Sequence, residues 1–261
     1  MNYERYIVVG DVHGCLEELN ELLKVVEYRE DGMKDCLVFA GDLVDRGPDP
    51  VGCVRRAREL GASCVMGNHE EKHIRWRNWE DRIKSGEAKK NPMRRFDEQR
   101  MQEHMALSDE DINFLRAMPK TIGLGHDSPT WLVVHAGFEC DGTRPDGQAK
   151  DTVCRVRDVD PVTGKMASNH KNPLESVPGA VPWGTRWSGP ENVIYGHAVH
   201  SREDPRVDLH DGYGCYGIDT GCVFGGRLTA LVLVDRSAPT FAQVQAKREY
   251  YPWARNNAGN D

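Results

Sequence analysis

The chain has 261 residues, of which 39% are hydrophobic and 29% are charged, and its formal net charge is −7. No apolar run approaches the roughly 20 residues that a membrane-spanning helix needs, so we expect no integral membrane protein. The acidic balance disfavours broad nonspecific binding to nucleic acid and leaves room only for a local basic patch.

The cysteines indicate neither a disulfide framework nor a zinc finger. There are eight of them, and no two have CxxC spacing. Cys36 and Cys64, for example, lie in apolar strand contexts, where a free thiol behaves as a small hydrophobe. We therefore expect reduced structural thiols and a cytoplasmic protein, because the N-terminal residues also lack the pattern of a secretory signal.

The first quarter of the chain alternates strands with helices. Apolar patterning predicts strands at about 5–10, 36–40 and 62–66, with helices at about 15–27 and 51–60 between them. A β-α-β-α-β order favours parallel strands joined by right-handed crossovers, in which ligands lie beyond the carboxyl ends of the strands.

A polar and mostly helical insert is predicted over residues 69–118. Residues 72–100 contain ten Lys/Arg against five Asp/Glu. We interpret this excess as a solvated helix face, and a role in binding polyphosphate or RNA is the alternative. Trp76, Trp79 and Ile83 share one helical face, which we expect to face the core rather than to stack a nucleobase.

Strands predominate from residue 120 onward. They are predicted at about 120–124, 131–134, 193–197, 214–218, 228–235 and 239–246, and the last three are predicted to form an antiparallel meander. The long segment 138–182 is rich in loop-forming residues and is interpreted as a rim or lid. Residues 251–261 are predicted to be a tail, which leaves a single domain over 1–250.

Five of the predicted strands end in polar side chains next to a glycine, and these residues are the candidate metal ligands. Carboxylate, imidazole and amide donors without thiolate suit Mn²⁺ first, with Fe or Zn²⁺ as alternatives. Six ligands are too many for one open catalytic ion but enough for two ions that share a carboxylate, with a hydroxide held between them. The six are Asp11, His13, Asp42, Asn68, His135 and His197.

Three residues beside these ligands suggest phosphoryl chemistry. Arg46 offers the planar fork that binds a phosphoryl group, and His69, if held by Asp45, could protonate a leaving oxygen. Each residue alone has a structural explanation: a lone histidine is usually a satisfied polar group, and Asp11 could cap the following helix. Their joint occurrence at five strand ends favours a catalytic metal site.

The ordered motifs resemble the signature set of the calcineurin-like metallophosphoesterases, in particular their phosphoprotein phosphatase branch. The tail at 216–231 is similar to that of the symmetrical diadenosine tetraphosphatases and their eukaryotic ApaH-like relatives. The resemblance implies an α/β (α+β) fold with a two-layered mixed β-sheet core flanked by helices. The motifs are Gly10-Asp11-Val12-His13-Gly14, Gly41-Asp42-Leu43-Val44-Asp45-Arg46-Gly47, Gly67-Asn68-His69-Glu70, His135-Ala136-Gly137 and Gly196-His197.

The resemblance also implies how the site residues divide their roles. Asp42 would bridge two ions, one bound with Asp11 and His13 and the other with Asn68, His135 and His197. His69 would be the general acid, Asp45 its orienting partner and Arg46 a phosphate ligand, with direct attack by water and no phosphoenzyme. A second phosphate-binding arginine is expected to be Arg157, with Arg186 as the competing candidate.

Three functions compete at this stage. The first is hydrolysis of a phosphoanhydride in dinucleoside polyphosphates, giving two ADP from diadenosine tetraphosphate, with a cap-like RNA 5′ end as a related substrate. The second is a Ser/Thr protein phosphatase, because Asp45 and Glu70 depart from the bacterial tetraphosphatase pattern. The third is a catalytically inactive module that recognises phosphorylated partners. In each case we expect a monomer that does not bind membranes.

Overall fold

The first half of the chain contains the predicted β-α-β-α-β unit followed by three helices. The computed structural model describes residues 3–30, 34–125, 130–167, 177–235 and 237–254. β1 pairs in parallel with β2, and β2 pairs in parallel with β3, as the sequence predicts. These elements are β1 (Arg5–Val9), α1 (Leu16–Val25), β2 (Asp35–Phe39), α2 (Pro50–Glu59), β3 (Ser63–Cys64), α3 (Asn68–Lys84), α4 (Glu98–Ala106) and α5 (Asp109–Arg116).

The second half contributes most of the strands. A helix and two short strands lie inside the segment predicted to be a loop-rich rim, of which 168–176 are outside the described residues. These elements are β4 (Thr121–Leu124), β5 (Trp131–Val134), α6 (Lys150–Arg155), β6 (Asp158–Val159), β7 (Val181–Pro182), β8 (Asn192–Tyr195), β9 (Arg206–Leu209), β10 (Gly214–Gly217), β11 (Arg227–Val234) and β12 (Thr240–Gln245).

Among the described residues, ten strands form two mixed five-stranded sheets, which confirms the predicted fold class, and β6 and β7 pair with each other in antiparallel fashion. The orders are β12-β11-β1-β2-β3 and β4-β5-β8-β10-β9. β11 and β12 pair in antiparallel fashion, as predicted. The prediction that β10 belongs to the same meander is wrong, because β10 lies in the second sheet, parallel to β8. Adjacency in sequence favoured a hairpin with β11, whereas the buried β10 lies between β9, to which it is antiparallel, and β8.

Alternating side chains bury both faces of the central strands. Val8 and Val38 pack with Val133 and Ile194 of the second sheet, so this cluster fills the space between the sheets. Their neighbours Ile7, Val9, Leu37 and Phe39 belong to the larger cluster, which also contains Leu19 and Leu22 of α1. A period of two along each strand places successive residues on opposite faces. The carboxyl ends of the strands are therefore held by a core on both sides.

The structure corrects two predictions, one about the core-facing side of α3 and one about the C-terminal tail. Trp76 is buried as expected, but Ile83 is 38% exposed, because α3 extends past the core. Tyr251 and Trp253 pack against the larger core cluster, although the sequence predicted a tail from residue 251. Residues 255–261 of that tail are outside the described residues. Within the described ranges, no helix has the length and apolar character needed to cross a membrane.

Candidate active site and metal centre

The loops that follow the strands adopt unusual backbone conformations. Five non-glycine residues there have positive φ angles of 45° to 73°: His13, Asp42, Asp45, Arg46 and His197. Such conformations each cost of order 1–3 kcal/mol and persist only where surrounding contacts hold them. The backbone amides of Val12 and His13 donate to the Asp42 carbonyl at 3.2 and 2.9 Å, which ties the first two loops together.

Glu70 holds the loop that carries Asp42. Its buried carboxylate accepts four backbone N–H bonds, from Asp42 (2.9 Å), Leu43 (2.7 Å), Val44 (3.2 Å) and Gly67 (3.1 Å). A Cβ at Gly67 would lie 2.2 Å from Asp42 Oδ1 and 2.4 Å from Glu70 Oε2, so this position requires glycine. Glu70 is thus a structural anchor of the site, a role that its sequence pattern did not reveal.

Two clusters of candidate metal ligands share Asp42. One contains His13, Asp42 and His69, and the other contains Asp42, His135 and His197, with the ligand atoms of each cluster within 4.8 Å of one another. Asp42 Oδ2 lies 3.4 Å from His13 Nε2, and Asp42 Oδ1 lies 3.4 Å from His135 Nε2. One carboxylate therefore presents a different oxygen to each cluster. Such carboxylate and imidazole donors suit divalent cations.

Asp11 and Asn68, the two remaining predicted ligands, lie beside these clusters. Both Asp11 carboxylate oxygens accept the backbone N–H of His197 at 3.1 Å. Asn68 Oδ1 lies 3.0 Å from His135 Nε2. Burial and two neighbouring carboxylates raise the pKa of Asp11 well above its usual value. Buried carboxylates crowded in this way fit a bound divalent cation, which would relieve their repulsion.

Histidine protonation in the site is governed by burial. Burial lowers the pKa of His13 to about 3, so its ring is neutral at pH 7, the form that ligates metals. Burial also lowers the pKa of His69 to about 4, although Asp42 and Asp45 act in the opposite direction. Because nearby negative charge favours the imidazolium, an anionic phosphate next to His69 would raise this value.

Asp45 is saturated by side-chain donors. Oδ1 accepts from Arg100 Nε at 2.8 Å and lies 3.0 Å from His73 Nε2. Oδ2 lies 2.6 Å from Arg100 Nη2 and makes a short contact with His69 Nδ1. A carboxylate offers about four acceptor positions, and all four are used here. This arrangement holds the His69 ring with Nε2 towards Asp42 Oδ2, at 3.8 Å.

Sequence reasoning missed the residues of α3 and α4 that surround Asp45. His73 follows His69 by four residues on α3, so both side chains lie on one helix face. Arg100, Glu103 and His104 share one face of α4 in the same way. Helical spacing could have identified each group, but only the tertiary structure shows that the two faces meet at Asp45.

The candidate phosphate-binding arginines occupy different environments. Arg46 Nη1 lies 2.8 Å from His13 Nε2, and its guanidinium lies over the rings of Phe224 and Tyr251. Arg157 Nε donates to His197 Nε2 at 3.2 Å. Arg186 is exposed, and its charge lies near Cys140. The structure therefore brings Arg46 and Arg157 to the two clusters.

Comparisons with known proteins agree with this architecture. The model of the calcineurin-like phosphoesterase family matches residues 4–210. A crystal structure of a candidate diadenosine tetraphosphatase superposes with a TM-score of 0.72 and 28% sequence identity, covering 93% of this chain and 94% of that one.

Some curated relatives are named as tetraphosphatases and another as a protein phosphatase. An asymmetrical bis(5′-nucleosyl)-tetraphosphatase of Halalkalibacterium halodurans is 31% identical over 87% of this chain and 89% of its own length. A symmetrical bis(5′-nucleosyl)-tetraphosphatase of Methylococcus capsulatus is 28% identical over 86% of this chain and 90% of its own. Serine/threonine-protein phosphatase 1 of Salmonella typhimurium is 29% identical over 87% of this chain and 91% of its own length.

Proposed function

Because the chain belongs to the calcineurin-like phosphoesterase family, we propose that it is a two-metal hydrolase of dinucleoside polyphosphates. The observation that carries this proposal is the shared position of Asp42 in two ligand clusters. Two divalent ions bound there would activate a water molecule and neutralise charge on the phosphoryl group. Mn²⁺ is the first choice for this donor set, with Fe or Zn²⁺ as alternatives.

We assign the ligands to the two ions through this shared carboxylate. Asp42 would bind both ions, since its two oxygens face opposite clusters. Asp11 and His13 would complete one site. Asn68, His135 and His197 would complete the other, and these three ligands come from three separate segments of the chain.

The remaining residues would bind the phosphate and protonate the leaving group. Arg46 and Arg157 each extend to a cluster histidine, so they are placed to contact phosphate oxygens there. His69 would donate a proton from Nε2 to the departing oxygen, and its Nδ1 remains engaged with Asp45. Asp45 would fix the tautomer and the ring orientation.

The names of the relatives favour a nucleotide substrate. Tetraphosphatases of both the symmetrical and the asymmetrical type match nearly the whole chain. We favour the symmetrical reaction, which gives two ADP from diadenosine tetraphosphate, because the 216–231 segment resembles that group. The asymmetrical reaction would instead give ATP and AMP.

A protein phosphatase is the second candidate function. A relative named as a serine/threonine-protein phosphatase matches 87% of the chain. Asp45 and Glu70 also follow the protein-phosphatase pattern rather than that of the bacterial tetraphosphatases. An RNA cap-like substrate contains a related anhydride, and exposed cations of 72–100 would be available to bind its phosphates.

A side-by-side assay tests these functions. The Mn²⁺-loaded protein would receive equal concentrations of diadenosine tetraphosphate, a capped RNA oligonucleotide and a phosphothreonine peptide, with products separated by chromatography. We expect the fastest turnover with diadenosine tetraphosphate and ADP as its only nucleotide product. Preference for the phosphopeptide would refute the nucleotide assignment, and ATP with AMP would refute the symmetrical reaction. A near-normal rate and metal content in the Asp42→Asn variant would contradict the two-metal assignment.

A further inference from the structure

A line of buried polar groups continues from His69 into the interior, beyond the residues assigned above. His73 Nε2 lies 3.0 Å from Asp45 Oδ1, and His73 Nδ1 lies 3.1 Å from His104 Nδ1. His104 Nε2 lies 3.3 Å from Glu80 Oε2. We propose that His73 and His104 are positioning residues that fix the Asp45 carboxylate and, through it, the proton-donating orientation of His69. This inference rests on the proposed role of His69.

The hydrogen-bonding capacity of each group sets the direction of the line. An ionised Asp45 only accepts, so His73 must donate from Nε2. In a neutral His73, Nδ1 is then the acceptor, and the proton in the contact with His104 belongs to His104 Nδ1. The tautomers of both rings are therefore dictated by Asp45. Glu80 accepts from Trp76 Nε1 at 3.0 Å. A neutral His104 that carries its proton on Nδ1 has none on Nε2 to donate to Glu80, so the line of donors ends at His104.

Aromatic packing keeps this line rigid and dry. The ring of Phe96 lies 5.3 Å from that of His73, 5.8 Å from that of His104 and 4.4 Å from that of Trp76. His73 is 0% exposed and His104 is 1% exposed. A water molecule therefore has little room to replace either ring.

Arg100 alone is insufficient to set the carboxylate. It binds both Asp45 oxygens, so it fixes their distance from α4 but provides one donor to each oxygen. Loss of His73 would leave Oδ1 with a single side-chain donor, and the carboxylate could then rotate about χ2 towards the vacated space. The backbone of Asp45 has a φ of +70°, a conformation that its surroundings must hold in place. Rotation of the Asp45 carboxylate would misalign the His69 ring that it contacts.

The first test compares leaving groups. Phenyl phosphate needs a proton on its leaving oxygen, whereas p-nitrophenyl phosphate leaves without one, and the two esters otherwise match. For His73→Leu we expect kcat to fall about 10- to 100-fold with phenyl phosphate and to change by less than about 3-fold with p-nitrophenyl phosphate. His73→Gln, whose amide can donate from nearly the same position, should restore most of the loss. His104→Leu should behave like His73→Leu with a smaller effect.

A matched control is His210→Gln, because His210 is a partly buried histidine that contacts the Gly184 carbonyl at 2.9 Å, apart from this network. It should leave both rates unchanged. An equal loss with both esters in His73→Leu, or no loss with either, would overturn the proposal.

The second test needs no turnover. In ¹H NMR spectra of the zinc-loaded protein, the His69 Nδ1–H proton should resonate far downfield because of its bond to Asp45, and His69→Asn assigns it by its disappearance. His73→Leu should move this resonance upfield or broaden it by exchange, whereas His210→Gln should not. An unchanged resonance in His73→Leu would overturn the proposal. A moved resonance in a protein that hydrolyses none of the substrates would support the positioning role and refute the proposed function.

Discussion

Replacing Glu70 by glutamine should break two of the four backbone hydrogen bonds that anchor the Asp42 loop. Glutamine keeps one carbonyl oxygen, which can retain two of the four N–H donors, but its amide nitrogen would face the other two. Burial raises the pKa of Glu70 to about 8. Above this pH the side chain is a charged acceptor, whose hydrogen bonds contribute about 1.5–3 kcal/mol each, so loss of two predicts about 3–6 kcal/mol of destabilisation there. The side chain is 0% exposed, so water cannot compensate. The positive φ of Asp42 should then relax, and metal binding should weaken.

Equilibrium urea unfolding and metal analysis after dialysis measure these two effects. Glu98→Gln is the matched control, because it makes the same chemical change at an exposed helix position. We expect a large drop in the free energy of unfolding and substoichiometric metal for Glu70→Gln, and neither for the control. A Glu70→Gln protein within about 1 kcal/mol of wild type, with full metal content, would refute the anchoring argument.

Three further predictions follow from the same geometry. Asp42→Asn should lose both ions and at least about 10³-fold in rate, as measured by metal analysis and initial rates, whereas near-normal metal content would contradict the bridging role. Arg157→Ala should raise KM or lower kcat more than Arg186→Ala does in steady-state kinetics, and the reverse order would reassign the phosphate ligand. Burial raises the pKa of Glu103 to about 9, above roughly 4.3 in the unfolded chain, so its contribution to stability declines as pH rises between these values. Glu103→Gln should therefore raise the urea midpoint at pH 8 but not at pH 4, and equal shifts at both pH values would contradict this reasoning.

The fold and the candidate metal ligands were accessible from the sequence because they depend on local patterns. Val8 and Val9 alternate between two cores, and the glycines that follow β1 and β2 mark where each strand stops. Parallel strands must end at the same sheet edge, so the polar residues after them meet there. The position of β10 beside β8 was not accessible, since a pairing between distant segments leaves no periodic signal in either.

The surroundings of Asp45 and Asp42 were not accessible for a different reason. From the sequence alone, Glu70 is only a position at which the chain departs from the bacterial tetraphosphatases. In the structure, its carboxylate accepts from four backbone amides. His73 looks like one more polar residue in a charged helix. Both roles arise from where α3 lies relative to the loop of residues 41–47, and the angle of a helix is set by its packing.

One helix therefore links the two halves of the site. Four residues of the first six positions of α3 contact the site. Asn68 contacts a ligand histidine, His69 and His73 contact Asp45, and Glu70 contacts the Asp42 loop. Because Glu70 acts on the backbone that carries Asp42, its replacement should disturb metal binding and proton donation together. Because His73 contacts the side chains of Asp45 and His104 rather than the backbone of the Asp42 loop, its replacement should leave the metal content intact and alter the leaving-group dependence alone. A metal loss in His73→Leu would mean that α3 moves as a unit, and the two halves of the site would then not be separable by mutation.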